Sequence, residues 1–110
     1  MTPVAQLRQA RQLLSNPDHW TQGSFARDKD GQPAPMNDPD VAVSWCAMGA
    51  MYASTDEIYG RLEAFKFLSK AMPNPTVPRS DLTRYNDNLP DHASLLAWFD
   101  RAITLAEQQS

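Results

Sequence analysis

Asp38-Pro39-Asp40-Val41-Ala42-Val43-Ser44-Trp45-Cys46-Ala47-Met48-Gly49-Ala50-Met51-Tyr52-Ala53 is the stretch whose reading decides the fold of this 110-residue chain. Aspartate is a strong helix cap, proline suits the first helical position, and an acid in the first turn is stabilised by the helix dipole. The spacing predicts a helix from Pro39 to about Ala53. One stripe of it is small (Cys46, Gly49, Ala50, Ala53), which invites close approach by another element. A second stripe (Val41, Trp45, Met48, Tyr52) is large. A helix apolar on two sides belongs at the centre of a fold.

Working outward, Val4, Leu7, Ala10, Leu13 and Leu14 recur at helical spacing behind a Thr2 cap and Pro3. That first helix ends at Ser15-Asn16-Pro17, because the residue before proline avoids the α region. Trp20 to Arg27 is richer in β-formers, and Asp28-Lys29-Asp30-Gly31 is a tight-turn sequence. Gln32-Pro33-Ala34-Pro35 then reads as a returning, proline-blunted edge. The segment from Trp20 to Met36 is therefore a small β-hairpin or an ordered loop that imitates one.

After the central helix, Ser54-Thr55-Asp56-Glu57 fits a capping box. The helix that follows turns Ile58, Leu62, Phe65 and Leu68 inward and stops at Met72-Pro73. Residues 73–80 form a proline-rich connector, followed by a turn or one-turn helix around Asp81–Tyr85. Asp91 starts the last helix, whose buried stripe is Leu95, Leu96, Phe99, Ala102, Ile103 and Ala106. The expected architecture is mainly α: one domain over residues 1–110, about four helices, and the short hairpin or loop between helices 1 and 2.

Bulk properties narrow the function classes. A chain this long buries roughly two-thirds of the surface it exposes when unfolded, enough for one core. The net charge is −3 and the ten basic residues are scattered among acids, so nucleic-acid binding by phosphate neutralisation is not expected. A single cysteine forbids an intrachain disulfide and favours a reducing compartment. The amino end lacks a signal-peptide apolar run, and no stretch approaches the ~20 apolar residues of a membrane span. The expected location is the cytoplasm, without a membrane partner.

Several side chains carry potential chemistry. Cys46 as a nucleophile would need a lowered pKa, a base such as His92 or His19, an orienting group such as Asn86 and an oxyanion donor such as Gln22. It lies about two turns inside the predicted helix, among small residues, so it reads first as a buried structural thiol. The two histidines lack metal-ligand spacing with each other or with Cys46, and His92 is expected to face solvent. Asp28-x-Asp30-Gly31 resembles part of a calcium loop but lacks its remaining ligands, and reads as a turn. Trp20, Gln22 and Arg27 could line a pocket with Trp45, and Asn86 could stand at its rim. The structural alternative makes both tryptophans core, pairs Arg27 with Asp28, Asp38 or Asp40, and uses Asn86 within a polar turn. No phosphate loop, dinucleotide fingerprint, nucleophile elbow or zinc-protease motif occurs.

Trp20-x-Gln22-Gly23, Ala26-Arg27-Asp28-x-x-Gly31-x-Pro33, Asp38-Pro39 and Trp45-Cys46-Ala47-x-Gly49-Ala50 together resemble a family of small uncharacterised proteins from bacteria and their phages. Asn86-Asp87, Phe99-Asp100-Arg101-Ala102-Ile103 and Leu105-Ala106 extend the similarity, leaving residues 54–80 uncovered. The resemblance implies a shared fold and a bacterial or phage origin, and no reaction. The chain departs from the pattern at Asp91-His92, where a Thr or Ser cap would stand.

The expected function is that of a non-enzymatic binding protein, a phage or mobile-element accessory factor acting on a host or bacterial protein. No cofactor or metal is expected, and the oligomeric state is open. Two alternatives remain: a small-molecule binder using Trp20, Gln22, Arg27 and Asn86, and a cysteine-dependent enzyme centred on Cys46.

Overall fold

The Thr2 hydroxyl accepts the Ala5 N–H at 3.1 Å and starts α1 (Pro3–Leu13), supplying an acceptor that the first turn lacks. The computed structural model describes residues 2–36, 38, 40–54, 58–73 and 79–109. A 3₁₀ turn (Pro17–His19) leads to two short strands, β1 (Ala26–Arg27) and β2 (Ser44–Trp45). Four helices follow: α2 (Ala47–Ser54), α3 (Ile58–Lys70), α4 (Arg79–Asp87) and α5 (His92–Gln108). The architecture is mainly helical with a two-stranded antiparallel sheet, and with five helices where about four were expected.

α1 packs against α2, α3 and α5, and α4 lies against α2 and α3. Leu7, Leu14, Met51, Leu68, Leu95, Trp98 and Phe99 are buried between them. Each large apolar side chain removed from water contributes about 1.5–3 kcal/mol, so this cluster holds the fold. Polar contacts fix its register. The Trp98 indole N–H donates to Leu68 O at 2.9 Å, and Arg101 Nε donates to Ala71 O at 3.2 Å, tying α5 to the end of α3. Across the first and last helices, Arg11 grips Asp100 at 2.6 and 3.2 Å and Arg8 meets Glu107 at 3.4 Å. Exposed pairs of this kind contribute at most about 1 kcal/mol each.

The central helix starts later than its sequence predicts. Asp38 does cap a turn: its carbonyl accepts the Val41 and Ala42 N–H groups and its carboxylate accepts Asp40 N–H. That turn is not continued. β-branched Val41 and Val43 favour extended backbone, and the edge of β1 is there to pair with. Val43 N–H donates to Arg27 O at 2.8 Å, and the register sets Trp45 opposite Ala26. Trp45 and Cys46 therefore precede α2 and do not lie within it. The hairpin reading holds in part. The Asp28–Gly31 turn forms, with Gly31 at φ +80, and Ala34 N–H returns to Ala26 O at 3.0 Å. The ladder partner of β1, however, is β2.

Other expectations need smaller corrections. Leu62 faces out, 37% exposed, while Ala64, Phe65, Phe67 and Leu68 face in. Trp98 joins the buried stripe of α5 and Leu96 is only half-buried. α4 runs nine residues where a single turn was expected. Thr55–Glu57 of the capping box, the inward side chain of Ile58, the connector at residues 74–78, and Asn37 and Pro39 lie outside the described residues, while Ser54 ends α2 with its hydroxyl donating to Ala50 O at 2.6 Å. Gln6 is fully buried, and neither atom of its amide has a hydrogen-bond partner among the described residues.

Gly49 is where the small stripe matters. A Cβ built there would stand 2.0 Å from the carbonyl oxygen of Phe25, so the chain entering β1 crosses α2 at backbone contact. Glycine to alanine inside a helix ordinarily stabilises by about 1 kcal/mol. Gly49→Ala should reverse that sign and cost about 1–3 kcal/mol through overpacking. A denaturation midpoint equal to or above the parent's would show that the crossing relaxes freely.

Candidate functional site

The residues singled out in sequence converge on one place, the amino end of α2. Asn86, on the last turn of α4, is fully buried. Its side-chain oxygen accepts the Trp20 indole N–H at 2.9 Å and the Ala47 N–H at 3.0 Å. Its side-chain nitrogen donates to Thr21 O at 3.2 Å and to the Asp87 carboxylate at 3.0 Å. Every hydrogen-bonding position of that amide is thus occupied. Asp87 also accepts the Gly23 N–H at 2.9 Å. Gln22 donates to the Asn86 and Leu89 carbonyls at 2.9 and 3.0 Å, closing the loop over the end of α4.

Arg27 stands on β1 above the same loop. Its guanidinium donates to Thr21 Oγ1 at 2.8 Å, Gln22 O at 3.0 Å and Gly31 O at 3.0 Å. No carboxylate among the described residues pairs with it, so the expected ion pair with Asp28, Asp38 or Asp40 is replaced by contacts to neutral oxygens. Trp45 donates its indole N–H to Met36 O at 3.1 Å. Trp20, Gln22, Arg27 and Asn86 are therefore one connected network, in which the named polar groups face one another.

Cys46 occupies the position just before α2, and not two turns inside a helix. Its carbonyl accepts the Ala50 N–H at 2.9 Å and its sulfur accepts the Gly49 N–H at 3.3 Å, as a capping serine would. A helix amino end ordinarily lowers a thiol pKa. Here burial pushes it up and outweighs the N–H groups of Gly49 and Met48; the Asp87 carboxylate adds to the rise. Neither histidine supplies a base. His92 Nε2 lies 2.6 Å from Leu14 O, with its ring tilted against Trp20, so it bridges α5 to the end of α1 and does not face solvent. The His19 ring sits edge-on to Trp45. Among the described residues no three His, Cys, Asp or Glu side chains gather where they could hold a metal ion.

Asp91, at the departure from the family-like pattern, caps α5 as Ser or Thr would, accepting Ser94 N–H at 2.8 Å. Hydrogen bonding to Ser94, from its side chain first and its N–H second, holds the Asp91 carboxyl below the usual range. Two open surface clefts lie away from the network. One is on the α3–α5 seam by Lys70, Arg101, Thr104 and Leu105; the other lies between α1 and α2 by Gln12, Leu13, His19 and Ala53. Among the described residues no helix is long and apolar enough to cross a membrane.

The residues that carry the resemblance thus meet in space: Trp20, Gln22, Gly23 and Arg27 around Asn86-Asp87, with Cys46, Ala47 and Gly49 beneath them. The chain belongs to a family of unknown function, DUF6197, whose model matches residues 1–105. No curated protein and no solved structure matches the chain.

Sequence reasoning missed one surface. Phe25, Val41 and Val43 are 48%, 39% and 44% exposed, three of the four large apolar side chains so exposed among the described residues. The available signal was apolar residues at no helical period inside a stretch rich in Asp and Pro.

Two outcomes follow from this geometry. Asn86→Ala strands the Trp20 indole N–H and the Ala47 N–H, each costing about 1–3 kcal/mol when buried unpaired. The variant should lose about 3 kcal/mol or more in denaturant titration, and a shift below 1 kcal/mol would show that water replaces the amide. Cys46 should resist a thiol reagent in the native protein and react only at the rate of global unfolding. Rapid labelling at neutral pH would reveal a stabilised thiolate instead.

Proposed function

We propose that the protein acts by binding another protein through the exposed apolar side chains of Phe25, Val41 and Val43. The carrying observation is the exposure of Phe25, Val41 and Val43 at positions whose own backbone groups are hydrogen-bonded. Ala42 is buried between the two exposed valines, where the turn closed by Asp38 O leads into β2. Phe25 lies across the small sheet: its carbonyl accepts Cys46 N–H, while Val43 bonds to Arg27. Single exposed apolar residues are ordinary, whereas contiguous apolar patches mark interaction sites.

Backbone contacts on both sides of the segment support a preformed surface. Thr21 N–H donates to Trp45 O on one flank, and Ala34 N–H to Ala26 O on the other. A rigid surface loses less entropy on association than a loop that must order itself. We assign the protein accordingly to accessory factors of a bacterium or phage, acting in the cytoplasm on a host protein. The small-molecule reading around Trp20, Gln22, Arg27 and Asn86 ranks second, because their hydrogen-bonding groups already have intramolecular partners. The cysteine-enzyme reading ranks third, since the Cys46 thiol is buried and raised in pKa.

Affinity capture from a bacterial lysate, followed by titration of the recovered protein, tests the proposal. Val41→Ser with Val43→Ser should weaken the complex at least tenfold, about 1.4 kcal/mol, and leave the melting temperature nearly unchanged. A wild-type chain that retains no stoichiometric partner, or a double variant that binds equally well, would refute it.

A further inference from the structure

We infer that the cleft on the α3–α5 seam binds a small organic anion, an oxyanion head of carboxylate or phosphate on a short apolar stem. The cleft measures about 450 Å³, within the size range of small-molecule sites. It shares no lining residue with the network around Asn86. Arg101, Thr104, Leu105 and Gln108 line it at helical spacing along one face of α5. Lys70 and Ala71 close it from the carboxyl end of α3.

The charge of the cleft runs against that of the chain. The whole sequence carries −3, yet the charged side chains lining the cleft are the cations Lys70 and Arg101 and a single carboxylate, Asp100. Asp100 is already matched by Arg11, which meets its two oxygens at 2.6 and 3.2 Å. Neither Lys70 nor Arg101 forms an ion pair among the described residues. Neutral oxygens hold Arg101 in place: its Nε donates to Ala71 O at 3.2 Å and its Nη2 to the Tyr85 hydroxyl at 3.5 Å. The first of these bonds serves the carboxyl end of α3, and together they leave Nη1 uncommitted among the described residues. The Lys70 ammonium lies 5.5 Å from the centre of the Phe67 ring, with no carboxylate beside it among the described residues.

An oxyanion can therefore accept hydrogen bonds from Nη1 of Arg101 and from the Lys70 ammonium without displacing a carboxylate. Bonds of this kind, with both partners charged, are roughly twice as strong as neutral ones. A guanidinium already oriented by its own contacts also loses less freedom on binding. Thr104 and Gln108 add a hydroxyl and an amide as neutral donors. Ala71 is buried and Leu105 packs against the core, so the two give an apolar stem a surface to cover. The arrangement selects for charge at one end of the ligand and against it at the other.

The test is an amide-shift NMR titration of the full chain at low salt with hexanoate, hexyl phosphate, hexanol and inorganic phosphate. At least one of the two amphiphilic anions should give saturable shifts at Ala71, Arg101, Thr104, Leu105 and Gln108, and whichever binds tighter names the head group. Hexanol and inorganic phosphate should each bind more weakly, since each lacks one half of the ligand. Lys70→Gln should weaken the preferred anion about tenfold, the loss of one charged hydrogen bond, and keep the parent's melting temperature because the Lys70 side chain is exposed. Arg101→Lys should also weaken it, and its melting temperature reports separately on the lost bond to Ala71 O. Hexanol binding as well as either anion would overturn the inference in favour of a merely apolar cleft. Inorganic phosphate binding as well would reduce the site to an adventitious ion only, and overturn it too. Shifts confined to other residues, or a Lys70→Gln chain that binds equally well, would overturn it whatever the fate of the protein-binding reading.

Discussion

The side-chain amide of Asn86 holds together three segments that local preference would leave apart. It joins the loop at Trp20 and Thr21, the first N–H of α2 at Ala47, and its own neighbour Asp87. A helix start leaves several N–H groups without partners, and sequence-local caps ordinarily supply them. α2 instead takes one acceptor from a residue 39 positions away and another from the Cys46 sulfur. The position of the central helix is therefore a tertiary property. Without Asn86, the Ala47 N–H would be buried unpaired, and the tryptophan indole above it would lose its acceptor.

This constraint accounts for what surrounds it. Because the amide is fully buried and fully bonded, the loop from Trp20 to Gly23 is pinned at both its carbonyl and its N–H groups. Pinning that loop places Arg27 within reach of Gln22 and Gly31. It also sets Phe25 O over Gly49, where only a residue without a Cβ fits. Buried polar networks of this kind specify one arrangement when every member is satisfied. The exposed side chains of residues 25–43 inherit their fixed positions from it.

Local signals in the sequence were readable where local chemistry decides the outcome. Thr2 and Asp91 cap α1 and α5 as their residue types dictate, and the apolar stripes of both helices face the core. The Asp28–Gly31 turn follows from its own side chain and glycine. The start of α2 was not readable, because Asp38 and Pro39 carry a strong helix signal and nothing nearby reveals that Trp45 will pair with Ala26. α4 looked shorter than it is because a polar residue, Asn86, takes one of its buried positions and interrupts the apolar pattern. In the candidate site, Trp20, Gln22, Arg27 and Asn86 were identifiable as a set by residue type. Their mutual bonding was not, since Trp20 and Asn86 are separated by 66 positions.

The embrace of α1 by α5 has a consequence for how the chain acquires its structure in the cell. α1 is synthesised before α5, yet one of the buried faces it shares, and the carboxylates that hold Arg8 and Arg11, belong to α5, with Asp100 lying 89 positions after Arg11. Until α2 and α3 have been made, α1 has no helix to pack against, and its eleven residues are marginal as a helix in water. The face of the core that α5 covers thus stays open until α5 has been made. Until then apolar side chains that α5 would cover offer a surface that chaperones can recognise.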